Sequence, residues 1–337
     1  MSRLKVGVIG AGAWGRNHVR TAAASSEAEL VAICDTNPEA RVSLMKQYPG
    51  ATVTDSAARL LEKVEAVIVA TPATSHAELG NMAIEAGVPA LIEKPFALTV
   101  ADAEQLAEKA EKRNVPILVG HLLEYHPVVE RLKEMLGKSE LGDLYYLYSQ
   151  RVNLGQIRPD ENALWSFGPH DVSVALYLLG EMPVTLSAQG KSYLQQGIED
   201  VVFLNLTFAS GVMAHVQMSW LDPHKVRRLT VVGSRQMAVF DDMQPREKLT
   251  IYDKGVNRPP EYRSYGESLT IREGDIFIPR LPNVEPLTVQ FQHFIRVVRG
   301  EEKGRADHAD GVRVVRVLDA ATRSLAQGGA LVSPGCA

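Results

Sequence analysis

Three stretches of the chain hold residue types at spacings that suit chemistry on a small molecule. Gly10, Gly12 and Gly15, in Ile9-Gly-Ala-Gly-Ala-Trp-Gly15, follow the apolar run Val6–Ile9. A G-x-G-x-x-G spacing at a strand-to-helix turn binds a dinucleotide pyrophosphate. The first glycine permits the tight turn, the second lets the backbone approach the phosphates, and the third lets helix and strand pack closely. Ala13 and Trp14 open the following helix, whose N-terminus offers free N–H groups and a favourable dipole to an anion. Alone, such a turn is also an ordinary corner, so its context decides. Glu93-Lys94-Pro95 ends another apolar strand pattern. Pro95 holds the Lys94 backbone extended, and an amine partly desolvated beside a bound nicotinamide either exchanges a proton with a substrate hydroxyl or simply holds it. The third stretch, Arg151 to Asp171, mixes Arg151, Asn153, Arg158, Asn162, Trp165 and His170. Pro169 suits the first position of a helix, which places His170 in the first turn, where the dipole favours a neutral, proton-accepting imidazole.

The elements around these residues form an alternating series. After the glycine turn come a helix from Trp14 to Ala24 and a strand over Glu29–Cys34, completing a βαβ unit. Asp35 then stands 20 residues after Gly15, where a carboxylate accepts from the adenosine ribose hydroxyls and repels a 2′-phosphate. NAD is therefore expected over NADP, although Arg41 can swing in, and Asp35 also reads as a cap for a helix opening at Pro38. Strands at Ala51–Thr54, Ala66–Ala70, Val88–Ile92 and Val115–Val119, with helices at Ser56–Lys63, Ser75–Ala86 and Thr99–Arg113, complete a doubly wound parallel sheet of about six strands. Ligands bind beyond the carboxyl ends of such strands. That rule selects Thr71 and Pro72 with His76, then Glu93 and Lys94, then Gly120 and His121.

A helix reaching about Leu136 follows, and the pattern then changes to strands, so the expected domains are residues 1–122 and 123–337. The second is α+β. Tyr145–Arg151, Val184–Lys191, Val201–Phe208, Val212–Met218, Arg227–Val232, Met237–Phe240 and Leu249–Tyr252 read as a large, mostly antiparallel open sheet. Helices at Pro169–Leu179, Pro286–Arg299 and Ala309–Ala326 are expected to cover one face, leaving the other for a homodimer or homotetramer. Lys225, Arg227 and Arg228 cluster, and an irregular stretch from Asp253 to Glu285 carries Arg258, Arg263, Arg272 and Arg280.

The 337 residues suffice for two cores. Lys and Arg total 36 against 40 Asp and Glu, a net charge of −4, so no basic excess points to nucleic acid or a membrane. Cys34 and Cys336 lack any disulfide or metal pattern, which fits a reducing cytoplasm. The absence of a leader pattern and of any apolar run near about eighteen residues reads as a soluble, unexported protein without a metal.

The set Gly10-x-Gly12-x-x-Gly15 with His18, Ala70-Thr-Pro72 with His76, and Glu93-Lys94-Pro95 resembles the Gfo/Idh/MocA oxidoreductases. The resemblance covers nearly the whole chain. It implies a Rossmann domain followed by an α+β domain, and oxidation or reduction of carbohydrate hydroxyl and carbonyl groups with NAD or NADP. It also implies that Lys94 contacts the reacting oxygen and that His170 carries the proton. Ser166 stands where many relatives have an acid four residues before that histidine, which leaves three carriers open: His170 alone, Lys94, or the two sharing the proton. Asp171 is adjacent but reads as a helix cap. Asp160 to Asp171, with Gly274–Pro279 and Glu285 onward, resembles the nucleotide-sugar 3-dehydrogenases acting on UDP-N-acetylglucosamine or its uronic acid. Arg151 or Arg158 would clamp a uronate, and Asn153 and Asn162 would bind hydroxyls or the acetamido group. The alternatives are another sugar or inositol dehydrogenase or ketoreductase of the family, or a noncatalytic NAD sensor.

Overall fold

The computed structural model describes residues 2–155, 157–257 and 269–335. The chain first lays down β1 (Leu4–Ile9), α1 (Gly15–Ala24), β2 (Ala28–Cys34), α2 (Pro38–Gln47), β3 (Thr52–Thr54), α3 (Ala57–Leu61) and β4 (Ala66–Val69). Next come α4 (His76–Glu85), β5 (Ala90–Ile92), α5 (Val100–Arg113) and β6 (Ile117–Val119). The six strands pair in parallel in the order β3-β2-β1-β4-β5-β6. This is the expected doubly wound sheet. Its central strands are unbroken apolar runs because helices cover both faces, and every residue of β4 and β5 is buried. The side chains of Asn37, Ser56 and Thr99 cap α2, α3 and α5, each contributing about 1 kcal/mol to a helix start.

From His126 the chain builds a second compact unit. Its helices are α6 (Pro127–Gly137) and α7 (Ala163–Leu179), and its first strands β7 (Leu144–Val152), β8 (Pro183–Lys191), β9 (Val201–Phe208) and β10 (Met213–Ser219). The sheet continues with β11 (Val226–Gly233), β12 (Met237–Asp241), β13 (Leu249–Asn257) and β14 (Thr270–Phe277). The order is β14-β13-β12-β11-β7-β10-β9-β8, with β7 and β10 parallel and the other neighbours antiparallel. α7 lies on β7, β9 and β10.

Four features differ from the sequence reading. Val284–Arg316 returns to the first unit rather than staying with residues 123–337. In that return, α8 (Pro286–Val298) sends Phe291, Phe294, Ile295 and Val297 into one apolar core with Val6, Val8, Val19 and Ile68. It therefore covers the parallel sheet, not the antiparallel one. The last helix, α9 (His308–Ala326), starts in the first unit and ends in the second. The stretch read as irregular after Asp253 contains the end of β13 and all of β14, while Arg258 and Arg263 lie outside the described residues. Finally, α7 starts at Ala163, so Pro169 sits inside the helix.

Candidate active site

In the first unit the glycine turn is forced by its surroundings. Gly10 has φ +90°, and a Cβ there would fall 2.6 Å from the Ala70 carbonyl oxygen. A Cβ on Gly15 would lie 2.1 Å from the Gly10 oxygen, whereas around Gly12 there is nothing within 4 Å. The two flanking glycines thus close the turn against β1 and β4, and the middle one leaves open room for a phosphate to meet the backbone. Asp35 fastens this turn to the end of β2: Oδ2 accepts from Ala11 N and Oδ1 from Asn37 N, each at 2.8 Å. An ionised carboxylate has about four acceptor sites, so ribose hydroxyls can still be taken. The α2 cap is Asn37, not Asp35. Arg41 donates from Nη1 to the carbonyl oxygens of Asp35 and Thr36, both at 2.9 Å.

Glu93 is the buried strut of this half. Its Oε1 accepts from Trp14 Nε1 at 2.6 Å and lies 2.8 Å from His18 Nε2, and its Oε2 accepts from Lys94 N at 3.1 Å. Burial pushes its pKa up, but the bond and charge of His18, the Trp14 bond and the Lys94 charge outweigh that and hold it below the usual carboxylate range. A Cβ on Gly120 would fall 2.7 Å from Glu93 Oε2. Glycine at the end of β6 thus makes room for the strut, a role the sequence reading missed. His76, 1% exposed, places Nδ1 2.7 Å from Pro95 O and Nε2 2.9 Å from Thr71 O. It ties the loop after β4, which carries Thr71 and Pro72, to the loop after β5. The Lys94–Pro95 peptide is cis, and Lys94 itself is partly exposed at the carboxyl edge of the sheet.

In the second unit, Asn162 caps α7 by accepting from Trp165 N at 3.1 Å and donates to Glu199 Oε2 at 2.7 Å. Trp165 donates its indole N–H to Thr322 Oγ1 at 3.0 Å, and Arg158 pairs with Glu161 at 3.0 Å. Asn153 bonds through its backbone to Ser219 O at 3.1 Å. His170 and Ser166 sit four residues apart, on one face of α7. His170 is mid-helix, so the helix-start dipole invoked for it does not act there, because that dipole fades within the first turn. Asp171 caps nothing: it receives Arg151 Nε at 2.6 Å and Nη2 at 3.4 Å. This pair binds β7 to α7 beside His170.

The residues of the first unit fit a dinucleotide, and the comparisons agree. Residues 4–121 match the family model described as "Oxidoreductase family, NAD-binding Rossmann fold", and residues 129–239 match "GFO/IDH/MocA C-terminal domain". The chain is 27% identical over 324 residues to a UDP-N-acetylglucosamine 3-dehydrogenase of Acidithiobacillus ferrooxidans, covering 95% of this chain and 96% of that protein. It is 29% identical over 224 residues to inositol 2-dehydrogenase 2 of Saccharopolyspora erythraea, covering 64% and 66% of the two chains. A solved structure of a putative oxidoreductase from Magnetospirillum magnetotacticum superposes with a TM-score of 0.81 at 34% identity, covering 95% of this chain and 99% of that one.

Proposed function

The chain belongs to the Gfo/Idh/MocA oxidoreductase family, and from that premise we propose that it oxidises the C3 hydroxyl of a UDP-N-acetyl-aminosugar to the ketone. It is an NAD-dependent dehydrogenase of the sugar and inositol type, acting on a CH–OH group. The finer substrate, UDP-N-acetylglucosamine or its uronic acid, rests on likeness over nearly the full length to the UDP-N-acetylglucosamine 3-dehydrogenase.

NAD, when bound, supplies the hydride acceptor. The backbone around Gly10, Gly12, Ala13, Trp14 and Gly15 receives the pyrophosphate, and Asp35 takes the ribose hydroxyls. Thr71, Pro72, His76 and Glu93 hold the loops around the nicotinamide end. The Lys94 amine contacts the reacting hydroxyl. Its proton passes to His170, or is shared between His170 and Lys94, and the Arg151–Asp171 pair fixes the part of α7 that carries His170. Asn153, Arg158, Asn162 and Trp165 serve the sugar nucleotide, partly by shaping the start of α7.

The face of the eight-stranded sheet opposite α7 presents Tyr146, Phe203 and Met213 at 40%, 39% and 57% exposure. We read it as the surface of a homodimer or homotetramer. The buried free thiol of Cys34, pushed up to about 11 by its burial, supports a place in the reducing cytoplasm.

The test is a panel of UDP-N-acetylglucosamine, its uronic acid, free sugars and inositols, read by NADH formation. UDP-sugars should be oxidised at least tenfold faster in kcat/KM. A second reading, an inositol or free-sugar dehydrogenase, draws on the likeness to inositol 2-dehydrogenase 2, and preference for inositol in the panel would select it.

A further inference from the structure

Arg151 and Arg227 are directly paired across β7 and β11. Residues at two-residue spacing share a sheet face, and Leu147 and Ser149 on β7, like Leu229 and Val231 on β11, are buried. The two arginines thus extend toward the α7 side, where Asp171 meets Arg151. Like charges directly opposite each other in a sheet are destabilising, so the carboxylates nearby must be accounted for. Asp171 is engaged by Arg151 at 2.6 Å. Asp242 is engaged by Lys248, whose Nζ lies 2.7 Å from Oδ1 and 2.8 Å from the Asp242 carbonyl oxygen.

His126 Nε2 lies 3.7 Å from Asp242 Oδ1, but burial first, and then the Lys248 charge, keep this histidine down at about 4, so it is neutral at pH 7. Three cations, Arg151, Arg227 and Lys248, therefore share two carboxylates. The side chain of Arg227 makes no hydrogen bond or ion pair with any described residue. It is exposed by area, yet the packed sheet around it and the Arg151 charge hold its guanidinium below the ordinary arginine range. One positive charge is left over, on the strand next to β7, which packs against α7 and is tied to it by the Arg151–Asp171 pair.

We propose that Arg227, backed by Arg151, is a receptor for an oxyanion carried by the substrate. This rests on the second unit's being the substrate-binding part of a dehydrogenase, and it narrows the substrate to one with a carboxylate or a phosphate. A planar guanidinium presents paired donors that match either group, and the anion relieves the repulsion between the two arginines. A neutral inositol or free sugar leaves that repulsion in place.

The test uses the intact protein with NAD, Arg227→Ala and Arg227→Lys, and titration calorimetry with UDP, UDP-N-acetylglucosamine and its uronic acid. A charge-assisted contact of about 1.5–3 kcal/mol corresponds to a loss of roughly ten- to hundredfold in affinity. If Arg227 holds the uronate, Arg227→Ala loses that factor for the uronic acid alone. If it holds the diphosphate, all three ligands lose it equally. Either result supports the receptor, with Arg227→Lys falling between. Unchanged affinity of Arg227→Ala for all three overturns it.

An arm independent of the sugar reading uses inorganic phosphate as probe. Phosphate should raise the Tm of the native protein and not that of Arg227→Ala, whose own Tm without anion should be equal or higher. Equal stabilisation of both proteins by phosphate contradicts the receptor. Failure of the native enzyme to oxidise either sugar nucleotide contradicts only the substrate reading.

Discussion

Trp14 donates its indole N–H to Glu93 Oε1 over 2.6 Å, so the residue that opens α1 at the glycine turn is held by the residue that precedes Lys94. Cofactor loop and lysine are one mechanical piece. Removing the carboxylate leaves the Trp14 and His18 nitrogens facing a void: Glu93→Ala should cost about 3–5 kcal/mol, and Glu93→Gln about 1–3 kcal/mol. The folded-state pKa of Glu93 is lowered, so the unfolded chain binds the proton more readily. Its stabilisation is complete above the unfolded value of about 4.3 and is lost as pH falls through the folded value. Urea denaturation of Glu93→Gln between pH 3 and 7 should show a shallower acid limb than the native protein.

Asp35 holds Ala11 N, and in the proposed function it also takes the adenosine ribose. Asp35→Ala should therefore weaken NAD binding by about ten- to hundredfold, as expected for losing a charge-assisted bond. It should also relax discrimination against NADP, because the carboxylate no longer repels a 2′-phosphate. Fluorescence titration with NADH and NADPH measures both, and an unchanged preference between them refutes the ribose contact.

Lys94 and His170 are assigned to one proton. Lys94→Ala should lower kcat by about 10²–10⁴-fold while leaving the NAD dissociation constant within about twofold. His170→Ala should lower kcat as well. If the two share a single route, the double variant falls well short of the product of the single losses. Full turnover in Lys94→Ala removes the lysine from the mechanism.

His126 caps α6 through Nδ1, which accepts from Val128 N at 3.1 Å. Protonation would abolish that acceptor, and burial already holds the ring down at about 4. The unfolded value is about 6.5, so between these values the unfolded chain carries the extra proton and stability falls as pH is lowered. The slope is at most about 1.4 kcal/mol per pH unit. His126→Asn keeps a cap-competent oxygen and should flatten that slope in denaturation curves between pH 4 and 6.5. An identical slope in the variant contradicts this role.

The parallel sheet was legible because each of its signals is local: the spacing of Gly10, Gly12 and Gly15, apolar runs such as Ala66–Val69, and cap residues such as Thr99 at the helix starts. What failed depended on distant packing. α8 shows an apolar stripe, but nothing in its sequence says that Phe291 and Phe294 meet Val6 and Val8. Pro169 read as a helix start because proline favours that position. The true start is Asn162, whose cap on Trp165 N was overshadowed by its value as a sugar ligand. β14 was hidden by Gly274 and by charges along a strand whose residues are nearly all exposed, so no alternation marked it. The repulsion between Arg151 and Arg227 depends on strand register, which composition does not reveal.

The central claim is that the hydride leaves C3 of a UDP-N-acetyl-aminosugar. It is tested most directly with UDP-N-acetylglucosamine and its uronic acid deuterated at C3, incubated with the protein and NAD and followed by NMR of the reduced cofactor. The account predicts deuterium at C4 of the NADH nicotinamide and a 3-keto sugar nucleotide as the other product. NADH free of deuterium, or formed only when an inositol or a free sugar is supplied, would contradict it.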